Sequence, residues 1–406
     1  MNFRKRALTM LGIAAAASLA LSGCAGGDSS DQAATGDPIL VAAVFDSNFF
    51  PEAPPAAKAV FDEYNAKGGF NGRPIQLDTY DEKTDPATSA TATKDALDSG
   101  IIAVVGSSSV MNCAVNNTTW TENNIVSIQG TAVDPFCFAT PNVAAANTGP
   151  FFATASSLYS ASELMGYDNI CSLILPDDEV AKAAYEQAIG TWEKATGKKL
   201  AYNDMSLTRG QTSFAANVAK MKSENCGAFF TNSLGADAAA ILAEMTNQGL
   251  VIPAVLESPA YSEEFAASVN YGAEITLQAE FAPFTDPEDP VSKEWRELME
   301  KNGISPTSFA QGGFLAAQYF IAILETIDGE VTRDSFTEAA KNMSQPYEGV
   351  GASMIGTGWI FGPGDSHQPN AATWMMSLEP NSQEWVSKGP WLTGEDIGWT
   401  NTKIVG

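Results

Sequence analysis

Short apolar runs alternate along this chain with longer stretches in which apolar residues recur at helical spacing. Such alternation predicts right-handed crossovers and mostly parallel sheets with helices on both faces, an α/β fold. The predicted strands are Ile39–Phe45, Ile75–Tyr80, Ile101–Val105, Ile125–Ile128, Ile170–Leu175, Leu200–Ser206, Ala228–Thr231, Ala254–Leu256 and Ile275–Ala279. The predicted helices are Ala56–Ala66, Pro86–Ser99, Cys113–Asn123, Phe151–Met165, Val180–Thr196, Phe214–Glu224 and Ala236–Gln248.

The pattern changes after Pro283. An acidic, proline-rich loop over Thr285–Pro290 leads to three helical stretches that end by Asn342. The segment 356–378 predicts two short strands on either side of the turn Gly362–Asp365. A folded body of about 370 residues exceeds what one hydrophobic core usually serves, so two lobes are expected.

The N-terminus has the pattern of an export signal. Arg4, Lys5 and Arg6 precede an apolar run that ends at Leu21 and is too short and alanine-rich to span a bilayer. Residues 21–24, Leu-Ser-Gly-Cys, resemble the lipobox of bacterial lipoproteins, which predicts a signal peptide at 1–23 and a lipid on Cys24. An ordinary secretory signal cleaved near Ala25 is the alternative. Residues 24–37 are polar, small and aperiodic, which predicts a flexible tether.

The charge composition of the chain excludes one class of binding partner. The chain has 22 basic and 48 acidic residues, a net charge of −26, and removal of the three basic residues of the signal peptide brings it to −29. That charge excludes a nucleic-acid binder, because phosphates would be repelled. The acidic residues are spread along the chain, which indicates a solvated surface. The mature protein is therefore expected on the outer face of the cell membrane, held by its lipid.

Four cysteines remain once Cys24 is assigned to lipid, an even number in an oxidising compartment. Cys171 and Cys226 lie near the starts of two predicted strands, and Cys113 and Cys137 lie beyond the ends of two others. The sequence favours the pairs Cys113–Cys137 and Cys171–Cys226, with the other two pairings and four free thiols as alternatives.

Several segments, taken in order, carry a family resemblance. Their order and motifs resemble the type I periplasmic solute-binding proteins, in the leucine/isoleucine/valine-binding group of ABC importers. The resemblance covers most of the mature chain. The segments are Phe61–Ile75, with its glycine turn, Asp81–Pro86, Ala103–Ser109, Phe214–Lys222 and Gly358–Phe361.

The resemblance implies two Rossmann-like lobes that close on ligand about a three-strand hinge. Lobe one would contain residues 38–150 and 284–345, and lobe two residues 151–283 and 346–406. The crossings would lie near Pro150, at Phe281–Pro283 and around Gln345–Gly351. It also implies a monomer without cofactor that captures a small polar or amphipathic solute, such as a branched-chain amino acid or a related amide or carboxylate, for the permease subunits of an importer.

Open parallel sheets bind ligands at the carboxyl ends of their strands, so the loops there supply candidate site residues. Phe49 and Phe50 would wall an apolar ligand, or else pack on the next helix. The serines after strand three would offer hydroxyls and amides, or else cap a helix. The candidates of lobe one are Phe49, Phe50, Ser107, Ser108, Ser109, Met111, Asn112, Thr131 and Ala132. Those of lobe two are Asp177, Ser233, Leu234, Glu257, Ser258 and Tyr261.

One candidate tests the ligand's charge. In the amino-acid binders of the family, an acidic residue on the loop after the Ala254–Leu256 strand holds the ligand's ammonium group. Glu257 is the nearest match, but Ser258 lies equally close and would not neutralise a cation. The loop after strand one is also shorter than usual for the family. Both departures put an α-amino acid in doubt and leave the binding role intact.

Chemistry of other kinds has little support in the sequence. His367 is the only histidine and lies in a polar turn, where a solvated role is expected. The His/Cys clusters of zinc sites are missing, as are a nucleophile elbow and a phosphate-binding loop. The sequence therefore predicts no enzyme and no metal. The alternatives are an exported hydrolase using Asp177 and Asp178, and a lipoprotein that reports a ligand to a membrane receptor.

Overall fold

A computed structural model describes residues 33–365 and 367–404. The predicted signal peptide, Cys24 and most of the predicted tether lie outside the described residues. Within the described part of the chain, no helix is both long and apolar enough to cross a membrane.

The first lobe is built on a five-stranded parallel sheet in the order β2-β1-β3-β4-β5. The central strands β3 and β4 are buried at every position, as expected for parallel strands covered on both faces. The strands are β1 (Ile39–Phe45), β2 (Ile75–Asp81), β3 (Ala103–Ser109), β4 (Val126–Ala132) and β5 (Val143–Ala145). The helices between them are α1 (Ala53–Ala66), α2 (Pro86–Asp98), α3 (Asn112–Glu122) and α4 (Phe136–Ala139).

The second lobe is built on a seven-stranded sheet in the order β12-β11-β10-β9-β8-β6-β7. Its strands β6 to β10 are parallel and are connected through helices. These strands are β6 (Ile170–Leu173), β7 (Tyr202–Asp204), β8 (Ala228–Thr231), β9 (Ala254–Glu257) and β10 (Ile275–Ala279). The helices are α5 (Pro150–Tyr159), α6 (Glu179–Thr196), α7 (Ala215–Ser223), α8 (Gly235–Asn247) and α9 (Glu263–Ser268).

The chain then returns to the first lobe before it ends on the second. Helices α10 (Lys293–Asn302), α11 (Ser308–Leu324) and α12 (Arg333–Lys341) follow the acidic loop. Helix α11 packs on α1, β3 and β4, where Phe61 and Phe320 meet edge to face at 5.6 Å. Strands β11 (Ala372–Leu378) and β12 (Trp385–Thr393) then extend the second sheet antiparallel to β10, and the short helix α13 (Gly394–Ile397) follows.

The prediction of two strands within 356–378 is confirmed for the strand after the turn, which is β11, and is wrong for the strand before it. The terminal pair is β11 and β12, and no strand forms among the described residues of 356–371. The apolar residues there act as anchors on the first lobe instead. Trp359 stacks on Tyr319 at 4.0 Å and donates its indole N–H to the carbonyl of Ala145 at 3.0 Å.

Three stretches of chain meet between the lobes, at residues 146–150, at 280–284 and near Asn370. The amide of Asn370 donates to the carbonyls of Ala146 at 3.4 Å and Glu280 at 3.0 Å. Because Trp359 still packs on the first lobe, we propose a third crossing near Asn370 rather than at 345–351. The predicted lobe boundaries otherwise stay a prediction.

Both predicted disulfide pairings are confirmed. Cys113 at the start of α3 bonds to Cys137 in α4, with their Cα atoms 5.2 Å apart. Cys171 in β6 bonds to Cys226, just before β8, with a Cα separation of 5.7 Å. Each disulfide therefore links two segments of the same lobe.

Candidate binding cleft

The carboxyl ends of the two sheets face each other across a narrow cavity of about 60 Å³, room for a few water molecules. The first lobe contributes the end of β4 and the start of α11, and the second contributes the ends of β6, β8 and β9. Its lining is Phe50, Thr131, Ala132, Val133, Asn147, Pro150, Ala153, Leu175, Asp177, Tyr185, Arg209, Asn232, Ser233, Leu234, Glu257, Ser258, Pro259, Glu280 and Phe309.

A larger groove of about 1010 Å³ lies on the first lobe between α1, α10 and α11. It is open to solvent and lined from that lobe alone. The smaller cavity is the better candidate site, because both sheets end on it and it holds buried carboxylates.

Thr131 lines the cavity from the first lobe's edge and carries a buried polar group. It is the penultimate residue of β4, is 3% exposed, and its hydroxyl has no hydrogen-bond partner among the described residues. Ala132, the residue after Thr131, forms two hydrogen bonds with the side chain of Asn147. This side chain accepts from the N–H of Ala132 at 2.8 Å and donates to its carbonyl at 3.1 Å. An unpaired buried hydroxyl costs about 1–3 kcal/mol, a cost that a ligand would remove.

Glu257 ends β9 on the opposite edge. It is 2% exposed, and one carboxylate oxygen accepts from the hydroxyl of Thr154 at 2.7 Å. Burial raises the pKa of Glu257 well above its ordinary value, the hydroxyl of Thr154 opposes this, and the nearby Glu280 adds to it.

Glu280 is the second buried carboxylate of the cavity and lies on the crossing after β10. Its Oε1 accepts from the N–H of Gly149 at 2.7 Å and from the amide of Asn147 at 2.9 Å. Burial raises the pKa of Glu280 to about 7, although these hydrogen bonds, with one from Ser258, lower it in part. The side chain of Glu280 therefore links its own interlobe segment, 280–284, to the segment 146–150. Through Asn147 it is also connected to the end of β4.

Arg209 and Asp177 form a bidentate ion pair, with N–O distances of 2.5 and 2.7 Å. The guanidinium also lies 5.0 Å from the ring centre of Phe49, which belongs to the first lobe. This cation–π contact joins the lobes at one side of the cavity.

The remaining wall combines polar and aromatic groups. Asn232 accepts from the N–H of Leu175 at 2.9 Å and donates to the hydroxyl of Tyr185 at 2.6 Å, which ties β6, β8 and α6 together. Phe50 meets Phe309 edge to face at 4.9 Å on the first-lobe side.

The structure brings eight of the predicted ligand residues to this cavity. They come from the carboxyl ends of five strands, β1, β4, β6, β8 and β9, or from the loops that follow them, as the carboxyl-edge rule predicts. They are Phe50, Thr131, Ala132, Asp177, Ser233, Leu234, Glu257 and Ser258.

The serine segment after β3 is placed elsewhere. Ser107 accepts from the N–H of Val44 at 2.9 Å, and Ser108 donates to the carbonyl of Phe50 at 3.1 Å, so both hydroxyls are used inside the first lobe. The residues of this segment that do not line the cavity are Ser107, Ser108, Ser109, Met111 and Asn112.

The side chain of Ser109 is used in the turn just before α3. Ser109 donates to Glu82 and accepts from the N–H groups of Met111 and Asn112, each at 2.9 Å. The N-cap residue of α3 is Met111, whose side chain makes no capping hydrogen bond. The amide of Asn112 donates to the carbonyl of Val44 at 3.2 Å. These side chains hold β3, α3 and β1 together and do not point to a ligand.

Tyr261 also lies outside the cavity. It is 2% exposed, packs on Phe284 at 4.4 Å, and its hydroxyl is 3.0 Å from that of Thr285. Phe49 does not line the cavity either, although its contact with Arg209 places it beside the cleft.

The groups considered for catalysis are separated. Asp177 is paired with Arg209, whereas Asp178 caps α6 by accepting from the N–H of Ala181 at 2.7 Å. His367 is buried rather than solvated, with Nδ1 3.0 Å from the carbonyl of Val143, because the turn folds back on β5. Burial lowers the pKa of His367.

Sequence reasoning missed several lining residues. Arg209 follows β7, so the carboxyl-edge rule was signal enough to find it. Glu280 and Asn147 lie on crossings, and Tyr185 and Phe309 on helices, where no local pattern marks a site. Only the fold brings Phe309 to Phe50.

Comparisons with known proteins agree with this architecture. A family model described as periplasmic binding protein matches residues 42–384. No curated protein matches the chain. Among solved structures, a leucine-binding protein from Thermotoga maritima is 15% identical with a TM-score of 0.70, covering 88% of this chain and 99% of its own.

Two further solved structures carry different ligand names. A fatty acid ABC transporter substrate-binding protein from Thermomonospora curvata is 14% identical with a TM-score of 0.73, covering 92% of this chain and 97% of its own. A solute-binding protein from R. palustris in complex with 4-hydroxybenzoate is 13% identical with a TM-score of 0.73, covering 88% and 97%. Identities this low show a shared fold.

Proposed function

The chain belongs to the periplasmic binding protein family, and from that premise we propose that it captures a small polar or amphipathic solute between its lobes. It delivers this solute to the permease subunits of an ABC importer. It works as an exported monomer without a cofactor, anchored to the membrane by a lipid on Cys24.

The observation that carries this proposal is the cavity shared by both carboxyl edges. Thr131, whose hydroxyl is unpaired among the described residues, lines it from one lobe, and Glu257, whose carboxylate is buried, lines it from the other. A solute that contacts both groups stabilises the closed arrangement relative to the open one, since only the closed form offers both sets of contacts.

The family alone does not choose the solute, because the matched structures name leucine, a fatty acid and 4-hydroxybenzoate. The family resemblance implies a branched-chain amino acid or a related amide or carboxylate, and the departures from the family's pattern put an α-amino acid in doubt. The cavity gives a carboxylate little support, since the hydroxyls of Ser107 and Ser108 are engaged elsewhere and Arg209 is paired with Asp177.

Thermal melting of the full chain against a panel of amino acids, amides, organic cations and small aromatic acids tests the proposal. A solute at about a hundredfold over its Kd adds roughly 2.7 kcal/mol of stability. Thr131→Val removes the hydroxyl and should shrink that gain, with the ligand-free melting temperature unchanged or raised.

Thr93→Val is the matched control. Thr93 is 2% exposed, also has an unpaired hydroxyl among the described residues, and lies in α2 outside the cavity. It should leave the solute-induced gain intact. Equal responses from the two variants, or a panel without any stabilising solute, would contradict the proposal.

Delivery is tested separately by uptake of the stabilising solute, labelled, in cells that lack this gene. If the chain is the binding protein of an importer, these cells should lose uptake of the solute. Preserved uptake with a lost cellular response would instead support a ligand-sensing lipoprotein.

A further inference from the structure

We propose that the solute is a compact organic cation with several N–H groups and no carboxylate, gripped by Glu257 and Glu280 together. This inference rests on the proposed function and names the ligand class of the same cavity. Glu280 becomes a ligand-contacting residue beyond those found from the sequence.

Charge around the cavity is the first argument. Its lining holds three carboxylates and, among the described residues, one basic group, Arg209. Arg209 is committed to Asp177 by two hydrogen bonds. Glu257 and Glu280 form no ion pair with any described residue, and both are buried. A buried carboxylate without a cation is costly, and such a group takes up a proton instead. A cationic solute that displaces the protons pairs with the ionised form of both groups at once.

Hydrogen bonding gives the second argument. Glu257 accepts one hydroxyl, and Glu280 accepts two N–H groups on one oxygen. A carboxylate offers about four acceptor positions, so both side chains retain acceptor capacity. The unpaired hydroxyl of Thr131 is a further acceptor on the opposite lobe. These acceptors suit a donor-rich cation such as a guanidinium or an amidinium.

The missing anion partner is the third argument. An α-amino acid carries a carboxylate that needs donors or a cation when it is buried. The hydroxyls of Ser107, Ser108 and Ser109 are used within the first lobe, and Arg209 is already paired. The cavity thus offers partners to a positively charged group of the solute and offers none to a carboxylate of the solute.

Shape and walls agree with a compact cation. The cavity measures about 60 Å³ and is flanked by the edge-to-face pair of Phe50 and Phe309. Aromatic faces attract cations, as Arg209 over Phe49 at 5.0 Å already illustrates beside the cleft. These two rings touch each other, so they form one aromatic wall, against which a planar head group packs better than a branched side chain.

Isosteric ligand pairs test the inference on the full exported chain. Guanidinium at millimolar concentration is compared with urea, and acetamidinium with acetamide, with L-leucine as the zwitterion. Calorimetry should show binding of the cation of each pair at least tenfold tighter than that of its neutral isostere. Glu257→Gln and Glu280→Gln should each weaken cation binding at least tenfold.

Glu274→Gln is the matched control, because Glu274 precedes β10 while Glu280 follows it. Its carboxylate accepts from Tyr167 at 3.0 Å and Ser377 at 2.7 Å, outside the cavity. This variant should bind the cations within twofold of the unaltered chain. Ligand-free melting curves of all three variants confirm that each is folded.

Two results would overturn the inference. One is that neither cation binds, and the other is cation binding that Glu280→Gln leaves unchanged. If L-leucine or urea binds in the same series and the cations do not, the proposed capture of a solute still stands and only this ligand class fails.

Discussion

Glu280 connects the two lobes with a single carboxylate, so its protonation affects the whole molecule. It accepts from Gly149 and Asn147, and the amide of Asn147 also holds Ala132 at the end of β4. In the absence of a bound cation, its ionised form is buried without an opposite charge.

The pH dependence of stability follows from this burial. The pKa of Glu280 is about 7 in the folded protein against an ordinary value of 4.5, so the folded state binds more protons between these values. The stabilisation is complete below pH 4.5 and is lost as the pH rises through about 7. The free energy of unfolding should therefore fall, relative to Glu280→Gln, by about 3 kcal/mol from pH 4 to pH 8.

Denaturant unfolding of both proteins across this pH range, without ligand, measures the difference. The two chains share every other titratable group, so those contributions cancel in the comparison, except for that of Glu257, whose pKa Glu280 helps to raise. Parallel curves would contradict a buried, proton-binding Glu280.

At this scale the sequence supplied part of the site. Thr131, Glu257 and Ser233 were predictable because each follows a strand, and strand ends share one edge. The serines after β3 follow a strand as well, but hydrogen bonds with the first lobe use their side chains. Such competition between neighbours is set by three-dimensional contacts and has no local pattern.

Helix α11 shows how an element positions the site. Gly312 and Gly313 allow the helix to lie directly on β4 and α1, and a Cβ at Gly312 would overlap the carbonyl oxygen of Gly130. Gly130 directly precedes Thr131, so the backbone of α11 fixes the position of Thr131 at the first-lobe edge of the cavity.

Gly312→Ala should therefore cost about 1–3 kcal/mol of stability by overpacking, and it should also weaken solute binding. Gly190→Ala is the control, because Gly190 is exposed in α6 and a Cβ there meets nothing within 4 Å. That change should stabilise the chain by about 0.5–1 kcal/mol. Similar chemical denaturation curves for the two variants would contradict the packing account.

Elements were more predictable than their connections. The strands of both sheets and their helices follow from periodicity, because parallel strands are short buried runs and helices show one apolar face. The segment 356–371 has the sequence pattern of a strand, because the apolar residues Trp359 and Phe361 are two positions apart. Their burial against Tyr319 and His367 comes from the return of the chain to the first lobe.

On the scale of the whole molecule, the proposed lipid on Cys24 would hold the chain at the membrane, beside the permease subunits that we propose it serves. Cys24 lies outside the described residues, and its lipidation stays a prediction. Cys24→Ala should release the protein from the membrane, since two acyl chains on one cysteine give stable anchoring. Cell fractionation and mass spectrometry check this, and recovery of the unaltered protein without acyl groups in the soluble fraction would contradict it.

The account's central claim is that solute is held between the two lobes. A crystal structure of the chain with its most stabilising solute tests this most directly. We predict solute density in contact with Thr131 on one lobe and Glu257 on the other, with donors of the solute on Glu257 and Glu280. Density that touches one lobe only, or that lies outside this cavity, would contradict the claim.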